Sequence, residues 1–272
     1  MTSQPQTFAA AEEASPSSPH ISLQAEKIFS IGGFPVTNSL ILAIIVLVVL
    51  GGTAILARRK IKLIPGKIQG LVEVFLETLL GLMDTVFSAG GGPASGGGHS
   101  RQSEKYLPLI ATIFLFVLFS NWLGLVPGVG SIVFHGEETS PLLRSPSADL
   151  NFTLGLAIIA VISANIFGIA AIGFWRHLAK FFNFKSPIGF FIGLIELVSE
   201  VAKMISFSFR LFGNIFAGEV LLIIVAFLVP YIVPLPFLFL EVFVGFVQAL
   251  IFSMLTIVFI AIATTSHAAE HN

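Results

Sequence analysis

Residues 187–229 read PIGFFIGLIELVSEVAKMISFSFRLFGNIFAGEVLLIIVAFLV, an apolar run with no proline after its first residue. A continuous helix of this length would measure about 64 Å, roughly twice the ~30 Å hydrocarbon core of a bilayer. The run therefore predicts a membrane helix that either breaks or lies strongly tilted. Arg210 and Glu219 lie within it, and a charge inside a membrane segment is costly enough to require a reason.

The composition of the whole chain supports a membrane protein. Of its 272 residues, 55% are hydrophobic and only 11% are charged, and the mean hydropathy is +0.95. A soluble domain usually has about 25% charged residues, so we expect an all-α, polytopic membrane protein. The net charge of −1 gives no indication of a nucleic-acid partner. The absence of cysteine excludes disulfides, thiolate metal sites and a cysteine nucleophile.

Four other apolar runs predict further membrane helices, which makes five membrane-embedded helices in all: residues 39–57, 107–126, 152–175 and 235–265. A tight turn is predicted between the last two helices, because Pro230, Pro234 and Pro236 interrupt the apolar sequence there. Both of these helices are longer than a bilayer requires. We therefore predict a long antiparallel hairpin that is inclined well beyond the average tilt of about 20°.

Residues 65–88 have a different character, because polar residues recur among leucine, valine and phenylalanine: Lys67, Gln69, Glu73, Glu77 and Asp84. This mixture predicts an amphipathic helix that lies at the membrane surface or against other helices.

The chain divides into a polar N-terminal tail (1–28), a single membrane domain (29–267) and a short C-terminal tail (268–272). The membrane domain contains a Gly-rich insertion at residues 90–98. The N-terminal tail lacks the features of a signal or transit peptide. Most loop lysines and arginines fall on one side of the predicted layout, with only Lys27 and Arg144 on the other. The positive-inside rule then predicts an outward N-terminus and a cytoplasmic C-terminus.

Polar residues follow one face of the longest helix. They are spaced by seven or four positions, which keeps them within a narrow stripe at 100° per residue: Glu196, Lys203, Arg210 and Asn214, bordered by Ser199 and Ser206. Glu219 falls on the opposite face from Arg210. In the last helix, Glu241 and Gln248 are again seven residues apart and share a face.

Two interpretations of these stripes are open. They could form a hydrated path for a small ion with a fixed positive charge along it, or they could be buried ion pairs and hydrogen bonds that hold the bundle together. The first is favoured for the stripe as a whole, whereas the second is favoured for Lys203 alone. A secondary ion transporter is the alternative function, but it predicts inverted repeats and broken helices, and the sequence has no visible repeat.

A membrane enzyme is disfavoured, because no nucleophile–base set is evident. His267 and His271 flank Glu270 at helical spacing, but further metal ligands are lacking, so we interpret them as part of a frayed tail and expect no metal site and no cofactor. A purely structural scaffold would not account for Arg210.

Several segments together resemble subunit a of F-type ATP synthases: VTNSLILA (36–43), SNWLGLVPG (120–128), ADLNFTLGLA (148–157), RLFGNIFAGE (210–219) and QALIFSMLTIVFIAIA (248–263). The resemblance covers roughly residues 29–267, and the arginine-centred segment is its most specific part. It implies two offset aqueous half-channels. A proton enters through one, binds a carboxylate on a rotating ring of c subunits, travels nearly one revolution and leaves through the other.

The resemblance also implies residue roles. Arg210 would be the essential arginine that faces the ring carboxylate. Asn214, Glu219 and Gln248 would line the outward half-channel, with Glu241 as a further candidate for proton uptake. Glu196 and Ser199 would lie toward the inward exit.

The implied partners are the c-ring, the peripheral-stalk subunit b and the lipid bilayer, and the transported ion is H⁺, with Na⁺ as the alternative. The chain would be a subunit of the ATP synthase complex and not an enzyme by itself. A bacterial plasma membrane is favoured over a thylakoid or mitochondrial inner membrane, because no transit peptide is evident.

Overall fold

The computed structural model describes residues 25–59, 66–89, 100–126, 133–135, 139–181 and 187–264. This part of the chain is mainly helical, with two small strand pairs. The elements, in chain order, are β1 Lys27–Ile31, β2 Phe34–Thr37, α1 Asn38–Arg59, α2 Lys67–Ala89, α3 Arg101–Gly124, β3 Val133–His135, β4 Thr139–Pro141, a 3₁₀ turn Pro146–Ala148, α4 Leu150–Ile172, α5 Phe174–Phe181, α6 Pro187–Leu228 and α7 Pro234–Thr264. The Gly-rich insertion and both C-terminal histidines lie outside the described residues.

Among the described residues, five helices are long and apolar enough to cross a membrane, namely α1, α3, α4, α6 and α7. They confirm the predicted all-α, polytopic class. The longest apolar run was expected either to break or to lie strongly tilted. It forms one unbroken helix, α6, of 42 residues. The strong tilt of the α6–α7 hairpin stays a prediction.

The third predicted span is wrong at its C-terminal end. A single helix was expected to reach Trp175, but α4 ends at Ile172 and the short helix α5 follows after one residue. That residue is Gly173, whose φ of 95° lies in the region that favours glycine. The chain therefore changes direction at Gly173, and α5 packs against both α4 and α6.

The N-terminal β-hairpin was not predicted. β1 pairs antiparallel with β2, and Ile31 lies opposite Phe34. Gly32 and Gly33 form the connection, with φ values of 57° and 89°. A Gly-Gly pair between two short apolar segments is a recognised hairpin signal, so the sequence does contain the information.

The core is built where α3, α4, α6 and α7 meet. Its buried residues combine small and aromatic side chains, among them Phe114, Val117, Ala157, Ala160, Phe207, Leu211, Ala249 and Phe252. The Phe207 and Phe252 rings pack with centroids 4.3 Å apart. Because lipid is as apolar as these side chains, close packing of small residues is what holds such helices together.

The amphipathic helix α2 packs against other helices. Its Leu79, Met83 and Phe87 are buried against Tyr106 and Ile110 of α3, in a cluster that also includes residues of α7. Other apolar side chains of α2, such as Leu71 and Val74, are exposed. The predicted amphipathic helix is thus confirmed, and its buried face contacts α3 and α7.

Candidate functional site

Arg210 lies on the exposed surface of α6. Within the described ranges its guanidinium forms no hydrogen bond or ion pair. It lines a cavity of about 290 Å³ together with Ser199, Lys203 and Ser206 of the same helix face. An apolar helix thus presents an uncompensated cation on the outside of the chain.

One turn further along α6, the polar residues of the two hairpin helices meet. Asn214 Nδ2 donates a hydrogen bond of 2.8 Å to Gln248 Oε1 on α7. Gln248 is almost completely buried, and its Nε2 has no partner in the described part of the protein. The structure therefore brings together two residues that lie 34 positions apart in sequence.

Glu219, on the opposite face of α6, contacts Arg144, which was not among the predicted site residues. Nε of Arg144 lies 3.4 Å from each Glu219 carboxylate oxygen. The Arg144 side chain is 7% exposed and that of Glu219 is 30% exposed. The guanidinium also lies over the Phe216 ring, 5.8 Å from its centroid. A loop arginine thus compensates a carboxylate that projects from a membrane helix.

The segment that carries Arg144 is itself buried, from Arg144 to Asp149. Asp149 holds it in place, because its Oδ2 accepts a 2.6 Å hydrogen bond from the Ser39 hydroxyl and its Oδ1 caps the start of α4. Asn38 Nδ2 donates to the carbonyl of Pro141 nearby. A buried polar segment needs such partners, because unsatisfied groups are costly away from water.

We expect Arg144→Ala to destabilise the folded chain by about 2–3 kcal/mol, because it leaves the Glu219 carboxylate partly buried without its cation. Thermal unfolding of the purified chain in detergent would measure this, with Arg59→Ala as the control at an exposed helix end. Adding Glu219→Gln to Arg144→Ala is expected to recover part of the loss. Equal unfolding temperatures for the Arg144 and Arg59 variants would contradict a stabilising pair.

Glu241 lies on α7 against α6. It is 5% exposed, and it forms no hydrogen bond or ion pair with any residue that the structure describes. A Cβ added to Gly218 would overlap the Glu241 carboxylate. Because Gly218 has no side chain, the Glu241 carboxylate can lie against this point of α6. Gly218 directly precedes Glu219 in the sequence.

Further buried polar atoms lack a protein partner in the described residues. They are Ser120 Oγ, Asn121 Oδ1, Ser147 Oγ and Gln248 Nε2, on α3, the 3₁₀ turn and α7. Asn121 Nδ2 donates a hydrogen bond of 2.9 Å to the carbonyl of Gly245, and Ser145 Oγ donates one to the carbonyl of Ser120. Buried polar atoms of this kind are normally satisfied by water.

The remaining sequence-predicted residues lie toward the other end of α6. Ser199 donates to the carbonyl of Ile195 in its own helix and lines the Arg210 cavity, and Glu196 is half-buried. Lys203 forms an ion pair with Glu200 at 2.7 Å, which favours the structural interpretation of this lysine. Glu200 was not among the predicted residues, although a carboxylate three positions before a lysine in a helix predicts such a pair.

Fold and site together define an integral, multi-pass membrane protein with ionisable side chains inside its apolar helices. Such groups are expensive in a bilayer and mark ion pathways by default.

A family model described as ATP synthase A chain matches residues 39–261. Relatives named ATP synthase subunit a include one from Campylobacter jejuni, which is 40% identical over 215 residues, 78% of this chain and 83% of the relative. Another, from Moorella thermoacetica, is 32% identical over 235 residues, 86% of this chain and 94% of the relative. The chain belongs to the ATP synthase A chain family, the proton-channel component of the membrane sector, Fo.

Proposed function

We propose that the chain is the proton-translocating stator subunit of an F-type ATP synthase. It provides two half-channels that load and unload carboxylates on a c-ring and so couple proton flow to rotation and ATP synthesis. The observation that carries this proposal is Arg210, an exposed cation without a partner among the described residues in the middle of an apolar helix.

Arginine suits a boundary between two half-channels, because its guanidinium stays charged and does not itself carry protons. A fixed cation favours the charged form of a nearby carboxylate, so a ring carboxylate that approaches Arg210 must release its proton. The same cation repels protons and prevents a direct leak between the half-channels.

The outward half-channel runs past Asn214, Gln248, Glu219 and Glu241. The Asn214–Gln248 hydrogen bond, the Glu219–Arg144 pair and the space at Gly218 support this assignment. Further support comes from the buried polar atoms that lack protein partners, since these are sites where water binds. Carboxylates in a hydrated path can pass protons, whereas the surrounding apolar helices cannot.

The inward half-channel passes Ser199 and Glu196. The cavity of about 290 Å³ that Ser199 shares with Arg210 supports this assignment. At about 30 Å³ for each water molecule, the cavity is large enough for several of them.

The c-ring would pack against the exposed apolar face around Arg210, and the peripheral-stalk subunit b would hold the chain as a stator. We infer a bacterial plasma membrane as the location and H⁺ as the ion. The chain has no catalytic role of its own. The membrane potential supplies only ~2.3 kcal/mol per charge per 100 mV, so several transfers must be combined by rotation for each ATP.

Proton flux in inverted vesicles tests the proposal, with the amount of assembled complex measured in the same sample. We expect Glu219→Gln to slow ATP-driven pumping about fivefold, because a proton-transferring carboxylate is lost. Passive leak is expected to stay low, because Arg210 remains. Glu104→Gln, at an exposed position in the first turn of α3, is the matched control. Unchanged pumping in the Glu219 variant would remove this residue from the path.

A further inference from the structure

Four polar side chains from three helices form a continuous set of contacts at the end of the bundle that carries α5. His177 Nε2 lies 2.9 Å from Asn165 Oδ1, Asn165 Nδ2 lies 3.3 Å from Glu200 Oε2, and Lys203 Nζ lies 2.7 Å from Glu200 Oε1. We call these four residues the Glu200 cluster. None of the roles assigned above uses it.

The hydrogen bonds of the cluster have a defined direction. Asn165 Nδ2 also donates to the carbonyl of Val161 at 3.0 Å, so its Oδ1 is the acceptor and His177 donates through Nε2–H. Both oxygens of Glu200 accept, one from Asn165 and one from Lys203. Because an amide between His177 and Glu200 does not carry a proton onward, this arrangement suits holding a charge in place better than passing protons.

The cluster is embedded in the packing of the bundle. A Cβ added to Gly168 would lie 3.0 Å from Cε1 of His177 and 2.8 Å from the carbonyl of Ala263. The imidazole therefore occupies space that only glycine leaves free at this point. Lys203 Nζ lies 5.5 Å from the centroid of the Phe259 ring on α7, which fixes the other end of the cluster.

The location of Lys203 connects the Glu200 cluster to Arg210. Lys203 lines the same cavity as Arg210 and is seven residues away on the same helix face, about 10 Å along the axis. We propose that Glu200, oriented by Asn165 and His177, is a positioning residue that neutralises Lys203, so that Arg210 alone acts as a cation on the ring-facing path. This inference rests on the proposed function.

Without Glu200, the inward cavity would contain two uncompensated cations. Their separation is close to the Debye length of ~8 Å at physiological ionic strength, and low-dielectric surroundings screen them even less. Protons that enter the cavity from the inner side would be repelled. ATP-driven pumping, which loads the ring from that side, would slow down.

The experiment replaces Lys203 and then restores a positive charge at position 203 after the complex has assembled. The effect of the charge on pumping is thereby separated from any effect on folding. Lys203→Cys is prepared alone and together with Glu200→Gln in the complete complex, and this chain has no native cysteine. Inverted vesicles are treated with aminoethyl methanethiosulfonate, which attaches an ammonium group, or with methyl methanethiosulfonate, which adds a neutral group. Complexes that contain the unaltered chain are treated in the same way. Any change in their pumping measures reaction of the reagents with other subunits.

We expect the ammonium reagent to lower pumping about fourfold or more when position 200 is glutamine, and less than about twofold when Glu200 is present. The neutral reagent should have little effect in either background. Equal effects of the ammonium in both backgrounds would overturn the inference, and so would no effect in either. Failure of only the double variant to assemble would also overturn it, because Glu200 would then be needed for folding.

The complex with Arg210→Ala is measured in the same series and keeps the two proposals apart. If this variant pumps normally, the proposed function fails. If it is inactive and the ammonium acts equally in both Lys203→Cys backgrounds, only the inference about Glu200 fails.

Discussion

We expect Arg210→Ala to lower ATP-driven proton pumping and ATP synthesis by about a hundredfold or more. The complex is expected to assemble as before. Assembly is expected to survive because Arg210 is exposed and forms no hydrogen bond or ion pair within the described part of the chain. Passive proton leak is expected to rise, since the fixed charge between the two proposed half-channels is gone. Proton flux in inverted vesicles, normalised to complex content, measures both effects.

Arg210→Lys is expected to fail as well, although it keeps a positive charge at pH 7 in water. A desolvated lysine can lose its proton, and it does not offer a planar guanidinium to a carboxylate. Arg101→Ala, at an exposed position in the first turn of α3, serves as the control and should pump normally. If Arg210→Ala instead reduced only the amount of complex, Arg210 would be a structural residue.

Gly218→Ala is expected to reduce proton pumping roughly tenfold or more, because a methyl group cannot fit beside the Glu241 carboxylate without displacing it. Alanine favours a helix by up to about 1 kcal/mol over glycine, so weaker local helix formation cannot explain a loss. The same vesicle assay reports pumping, and the leak is expected to remain low because Arg210 is intact.

Gly155→Ala is the matched control for this substitution. Gly155 is also inside a membrane helix, but a Cβ added there meets nothing within 4 Å. Its variant should behave like the unaltered protein. Normal pumping in Gly218→Ala would show that the position of Glu241 does not matter for proton uptake.

The helices of this protein are readable from the sequence because each membrane span is a long apolar run. The turn between α6 and α7 follows directly from the proline group at 230–236. The break at Gly173 was missed, because one glycine inside an apolar run gives a weak signal and its φ of 95° depends on where α5 packs.

The polar stripe of α6 was also readable, since spacing by seven places Lys203 and Arg210 on one face of any regular helix. What the spacing could not give is the partner of each residue. Arg144 comes from a loop 75 positions before Glu219, and no local pattern connects them. Lys203 and Arg210 look equivalent in sequence, but Glu200 compensates only the first.

Because α6 is continuous, it fixes both the distance between its polar residues along the axis and the helix face on which each of them lies. With a rise of 1.5 Å per residue, Glu196 and Glu219 are held about 34 Å apart along one rigid rod. A single residue inserted between Arg210 and Glu219 would rotate everything beyond it by about 100° and turn Glu219 away from Arg144. Surface loops generally tolerate insertions, whereas an insertion between Arg210 and Glu219 would break the Glu219–Arg144 pair.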